Sequence, residues 1–303
     1  MTKKQKESMM NLRFLSRLRG LSPPQTSLPP RERGSLPTRF APVLATLLAG
    51  TASAQEAPVW WAGEISVSTG VDFTSGDYGE NERTNTSFVP FSVAYLFDHF
   101  ALTAFPNDLF ELRVTVPYVA IDGPAFETGT NVIRDGAADG LGDVTLAASY
   151  IAFPARDLPL PAVEISTRIK FPTASNSANE LIGTGDYSYT LQAGFFRRWG
   201  RVTPLATIGY RIAESERGFR LRNALFTSVG GSIELTPSLS MGLLYDWSQQ
   251  TSAASEPTHQ LFPYFAVKLR DDLRLMPYGV AGLSTHAPQW GTGVQLRYTI
   301  PLR

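Results

Sequence analysis

The feature that most constrains this chain is a period of two. From Val163 to Phe171, the residues Val163, Ile165, Thr167, Ile169 and Phe171 alternate with Glu164, Ser166, Arg168 and Lys170. Successive side chains of a strand point to opposite faces, so one face of this segment is largely apolar and the other charged. The pattern returns near both ends of the region after Gln55. There Ile65, Val67, Val71 and Phe73 oppose Glu64, Ser66, Ser68, Gly70 and Asp72, while Val294, Leu296, Tyr298, Ile300 and Leu302 oppose Gly293, Gln295, Arg297 and Thr299. Although 43% of residues are hydrophobic, there is no uninterrupted apolar run of about 18, which excludes helical membrane spans. Sparse charge (18%), 25 glycines and 22 prolines favour strands and turns over amphipathic helices.

Segments of about ten alternating residues, separated by turns, are the pattern of a transmembrane barrel. The expected fold is all-β, a closed antiparallel up-and-down β-barrel of about twelve strands. They are placed near 61–74, 86–97, 109–120, 142–153, 162–172, 186–197, 203–213, 222–235, 239–249, 260–270, 273–284 and 290–302. Long connections (75–85, 121–141, 173–185, 214–221, 250–259) alternate with mostly short ones, the outer-membrane asymmetry of long external loops and short periplasmic turns. The connection 98–108 is too long for a simple turn, and 285–289 is short for an external loop. Aromatic residues near strand ends are expected to form interfacial girdles: Trp60, Trp61, Tyr118, Tyr150, Phe153, Tyr187, Phe196, Trp199, Tyr245, Trp247, Trp290 and Tyr298. A soluble β-sandwich also alternates, and its core would claim the same aromatics. Pro90, Pro117, Pro204, Pro263 and Pro277 fall inside the strands and each removes a ladder donor.

Residues 1–39 are basic and Pro-rich, and the apolar stretch Phe40 to Gly50 leads into Ala52-Ser53-Ala54, an A-x-A-type cleavage site. Residues 1–54 are therefore expected to be a basic extension plus a cleaved signal peptide, and 55–303 the barrel. The first part holds nine basic and two acidic residues of the 27 of each in the chain, so the remainder carries 18 against 25 and is acidic. That balance points away from nucleic acid. The expected surroundings are outer-membrane lipid, the barrel-assembly machinery and a small-molecule solute. Absence of cysteine removes thiol nucleophiles, thiolate metal sites and disulfides.

Three groups of words stand in order: Gly140-Leu141-Gly142-Asp143-Val144 with Tyr150, Lys170-Phe171-Pro172-Thr173-Ala174, and Gly183-Thr184-Gly185-Asp186-Tyr187. In these the chain resembles the outer-membrane barrel family named for the MetA pathway of phenol degradation. The resemblance implies a barrel transporter for small, often hydrophobic or aromatic compounds. Read physically, Gly140 and Gly142 permit a tight loop-to-strand transition, and Asp143 can accept hydrogen bonds from loop N–H groups.

Other chemistry finds less support. His99, His259 and His286 lie far apart, and Ser284 with His286 lacks a third orienting group in the sequence. Asp135, Asp139 and Asp143 could hold calcium, but their spacing misses the EF-hand pattern. No catalytic, cofactor or metal residue is assigned. The lumen-facing candidates are Glu111, Arg113, Glu164, Arg168, Lys170, Arg211, Glu234, Asp246, Lys268, Arg270 and Arg297. Charges of both signs inside a barrel either line a wet pore or pair across it and plug it. The expected function is passive uptake of a small solute across the outer membrane. The alternatives are a lipid-modifying barrel enzyme and a non-conducting structural barrel.

Overall fold

The computed structural model describes residues 63–79, 82–98, 108–123, 125–128, 131–134, 137–154, 159–174, 182–183, 186–214, 222–251 and 255–302. The expected signal segment, Trp60, Trp61, His99, Asp135 and most of the connection 98–108 lie outside them. Among the described residues fifteen strands follow one another: β1 (Gly63–Gly76), β2 (Thr84–Asp98), β3 (Leu109–Asp122), β4 (Ala125–Thr128), β5 (Asn131–Arg134), β6 (Ala137–Leu141), β7 (Thr145–Ala152), β8 (Ala162–Lys170), β9 (Ser188–Phe196), β10 (Val202–Ala213), β11 (Ala224–Thr236), β12 (Leu239–Ser248), β13 (Thr258–Lys268), β14 (Leu273–Gly282) and β15 (Trp290–Leu302). Strands β4 and β5 form a separate hairpin. The others make one antiparallel sheet, closed because the pairing runs unbroken from β1 through β2 and β3 to β15 and β15 pairs back with β1. Since β6 and β7 both pair with β3, they share one stave, and the barrel has twelve staves.

Expectation and structure differ most at the fourth stave. The sequence reading begins it at residue 142; the structure begins it at Ala137 and interrupts it at 142–144. Pro117 on β3 has no N–H to offer this neighbour, and its carbonyl accepts the N–H of Gly142 (2.8 Å). Three residues, 142–144, thereby stand against Val116 and Pro117, between the pairs Thr115↔Thr145 and Tyr118↔Leu141. This is a β-bulge, and it reverses the facing of the stave. Asp139 pairs alongside Ala120 on the outer face, whereas Asp143 lies against the inward-facing Lys170. Gly142 of the first family-like group thus serves a bulge within a stave instead of the start of one, and Gly140 lies in the ladder opposite Val119.

The strand pairing fixes the two faces. Along β3, Leu109, Glu111, Arg113, Thr115 and Val119 are buried, while Leu112, Val114 and Tyr118 are exposed. Carried from strand to strand through the register, the outer face presents Phe91, Val114, Leu191, Ile208, Leu243 and Phe265, all between 45% and 60% exposed. So broad an apolar belt on the outside of a closed barrel is a lipid-facing surface, and it answers the sandwich alternative. Among the described residues no helix is long and apolar enough to cross a membrane.

The expected aromatic girdle divides. The pairings place Tyr118, Tyr150, Tyr245, Trp247, Trp290 and Tyr298 on the outer face. Phe196 does not join them: it points inward, is 8% exposed, and packs edge-on against Phe153 in the interior. Phe196 belongs to a buried apolar cluster with Leu109, Ile151, Leu205, Leu244, Tyr264 and Met276, and Phe153 packs against it. Its members come from nine of the twelve staves, β1, β11 and β15 contributing none, so apolar side chains pack together inside the half of the barrel bearing the short turns.

Candidate functional site

Above that apolar floor, in the half that carries the long loops, the lumen holds a cavity of about 340 Å³. Its floor includes Phe262, Tyr278 and Val280, which belong to the apolar cluster or pack on it. Phe262 and Tyr278 stack with ring centroids 4.8 Å apart and planes inclined by 24°. The walls carry Arg168, Lys170, Arg211, Asp246 and Asp72 among hydroxyl and amide side chains such as Thr190, Gln192 and Gln260. Flat apolar surface below and charge on the walls suit a small amphipathic molecule.

The eleven lumen candidates separate by height. Arg168, Lys170, Arg211 and Asp246 come together at the cavity. Glu111 and Arg113 are buried on β3 and ion-paired at 3.0 Å. Glu164 and Arg297 are buried on the inner face. Glu234 is ion-paired with Arg198, and Lys268 with Asp271 at 2.7 Å, both near the short turns. Arg270 is a correction: β13 ends at Lys268, and Arg270 lies in the following turn, 62% exposed and 3.1 Å from Asp272. The alternation of β13 cannot be extended through a turn that bonds to itself, as Leu269 and Arg270 do with Leu273.

Several inward residues escaped the sequence list. Asp72 sits on the polar face of the first alternating strand and lines the cavity; Arg274 on β14 is buried beside Arg297 by register. For Asp72 the signal was already in the pattern. Asp143 and Ala174 needed the structure. The Asp143 carboxylate accepts from Lys170 Nζ (2.6 Å) and from the Ala174 backbone N–H (3.1 Å), as its loop-capping role anticipates. Lys170 also donates to the Asp186 carbonyl (3.1 Å). Thr173 Oγ1 accepts from the Val144 N–H at 2.8 Å, and Phe171 meets Tyr187 edge-on. A side chain at Gly183 would collide with Asp143 and Ala174. The three family-like groups therefore meet in one clasp on the cavity wall.

The remaining alternatives have little geometry behind them. Asp139, which accepts from Tyr118, faces away from Asp143, so the two cannot share a cation. Ser284 Oγ accepts the backbone N–H of His259 (3.0 Å), and His286 Nδ1 lies 3.9 Å from Glu256. Among the described residues no group of three potential metal ligands occurs.

Comparison with known proteins bears on the same architecture. The profile of the family described as MetA-pathway of phenol degradation matches residues 91–300. The COG4313 outer membrane channel from Pseudomonas putida F1 is similar at a TM-score of 0.63 and 13% identity, over 83% of this chain and 100% of that one. The transport unit of the autotransporter AIDA-I from Escherichia coli has a TM-score of 0.48 at 7% identity, over 86% of this chain and 94% of that one. The CymD monoaromatic hydrocarbon channel has a TM-score of 0.44 at 9% identity, over 80% and 89%. At these identities the first likeness speaks for the fold, and the other two carry no further weight. No curated protein matches the chain.

Proposed function

Because this chain belongs to the family named for the MetA pathway of phenol degradation, and its barrel encloses a cavity walled by both aromatic and charged side chains, we propose that it is an outer-membrane channel for passive, selective passage of a small solute with hydrophobic or aromatic character. The cavity is the observation that carries this reading. It lies within a closed barrel with a lipid-facing belt, so a molecule inside it is already between the two sides of the membrane. The stacked Phe262–Tyr278 pair offers a flat ring a face, and the polar walls orient whatever substituents it bears. No covalent step and no cofactor enters the reading.

One observation favours a second reading. The apolar cluster packed inside the short-turn half would make the barrel a closed structural element if it blocked the lumen at all times. Reconstitution into liposomes and planar bilayers distinguishes the two. A channel gives swelling in isosmotic small solutes and discrete conductance steps, and Arg168→Glu moves its selectivity toward cations. A barrel that gives neither swelling nor steps is the structural one.

A further inference from the structure

The register places three arginines in one line. Arg113 pairs with Ala147, Ala147 with Arg168, Arg168 with Thr190, Thr190 with Arg211, and Arg211 with Ala224. Every second stave of this stretch of wall thus carries a guanidinium, and the residues between are small enough to leave each one room. Neighbouring arginines in the row stand about 10 Å apart at the backbone, two strand spacings. The row also climbs: Arg113 is near the short-turn end of β3, Arg168 sits beyond the middle of β8, and Arg211 is close to the long-loop end of β10. Strand stagger turns a straight ladder row into a ramp from the cavity mouth toward its floor.

The three are not compensated alike. Arg113 has Glu111. Arg168 and Arg211 line the cavity with neither a hydrogen bond nor an ion pair among the described residues. Three carboxylates of the cavity wall are otherwise engaged or distant. Asp143 is held by Lys170 and the Ala174 N–H, Asp246 accepts the Ser228 hydroxyl, and Asp72 stands on β1 across the lumen. Two like charges in a confined site, with donors facing the same space, repel each other until an anion sits between them. The floor below them is aromatic.

We propose that Arg168 and Arg211 form a binding subsite for the carboxylate of a small aromatic acid whose ring lies toward Phe262 and Tyr278. This deepens the channel reading by naming the substrate class, and it rests on that reading for its physiological meaning. Binding itself does not require passage. Both guanidinium groups can donate to one carboxylate, a charge-assisted contact that a neutral analogue of the same shape cannot reproduce.

The test uses the full chain, folded as a barrel in zwitterionic detergent and low-salt buffer, titrated calorimetrically with benzoate and, in parallel, with benzyl alcohol. Benzoate should bind at least about tenfold more tightly than the alcohol. Arg168→Gln and Arg211→Gln should each remove most of that advantage and leave alcohol binding within about twofold, while Arg168→Lys should restore part of it because charge is kept and only the planar fork is lost. Unboiled and boiled mobility on SDS gels certifies that each variant is a folded barrel. Benzoate binding no tighter than the alcohol overturns the subsite, as does an equal loss of both ligands in a folded Gln variant. Benzoate binding that depends on both arginines in a barrel without conductance upholds the subsite and removes the channel reading. A conducting barrel indifferent to both substitutions does the reverse.

Discussion

Gly242 shows how single residues set the interior. It lies opposite Tyr264 in the ladder, and a Cβ there would come within 2.2 Å of the tyrosine ring. Gly209 with Phe226 and Gly293 with Tyr278 repeat the arrangement, a ring on one strand lying over a bare backbone on the next. Tyr264 is 2% exposed and cannot swing away freely. Gly242→Ala should therefore cost about 1–3 kcal/mol through overpacking, lowering the temperature at which the fast-migrating folded band is lost on SDS gels. On the outer face the opposite sensitivity holds. Ile208 sits at the middle of β10, 45% exposed toward lipid. Ile208→Arg should cost about 2–4 kcal/mol near mid-membrane, read as reduced yield of folded barrel in refolding into lipid. The neighbouring inward position, Thr207, should accept a polar substitution with little change in that yield.

At the scale of elements, the clasp joins the bulged stave to the segments after β8 and before β9. Its centre is the contact between Lys170 and Asp143, whose side chains are 16% and 5% exposed. At that burial an ion pair with further hydrogen bonds contributes to holding the segment, and removing one partner strands the other. Asp143→Ala should cost about 1.5–3 kcal/mol and loosen residues 171–174 against the wall, seen as larger and noisier single-channel conductance. Lys170→Met should give the same direction of change. If both variants conduct like the parent, the clasp does not govern the cavity mouth. The prolines belong to this scale too. Pro90 and Pro117 face each other in adjacent strands, and the ladder donor missing at Pro117 falls where the bulge begins. The cost foreseen at that position is thus concentrated at one irregularity instead of being spread over the sheet.

For the whole molecule, closure of β1 on β15 over thirteen residue pairs leaves no free edge in the main sheet. Unboiled protein should migrate faster than boiled protein on SDS gels, because a closed ladder must open cooperatively before detergent can extend it. Cysteines placed at Val67 and Tyr298, which are paired across the seam, should cross-link under mild oxidation and raise the temperature of that mobility shift. Failure to cross-link in a folded sample would mean that the seam is open or differently registered.

Alternation by itself determined the all-β class, the approximate position of twelve staves and the facing of most of the charged side chains assigned to the lumen. These are local properties, since strand period and turn residues are set within a few positions of one another. Val163 to Lys170 face as the pattern requires, and ten of the eleven lumen candidates lie on strands with inward register. Arg270 failed because a pattern of two carries no mark where a strand gives way to its turn. What only the tertiary structure decided is which inward residues meet. Phe196 reads as a girdle residue by its place at a strand end until its register with Ala162 and Leu205 turns it into the apolar floor. Asp143 is a loop carboxylate until a bulge at Pro117 aims it at Lys170. Arg113, Arg168 and Arg211 are scattered charges until the register lines them up. Those meetings depend on the offset of each strand against the next, summed around the barrel. That sum is a long-range quantity, and no window of the sequence contains it.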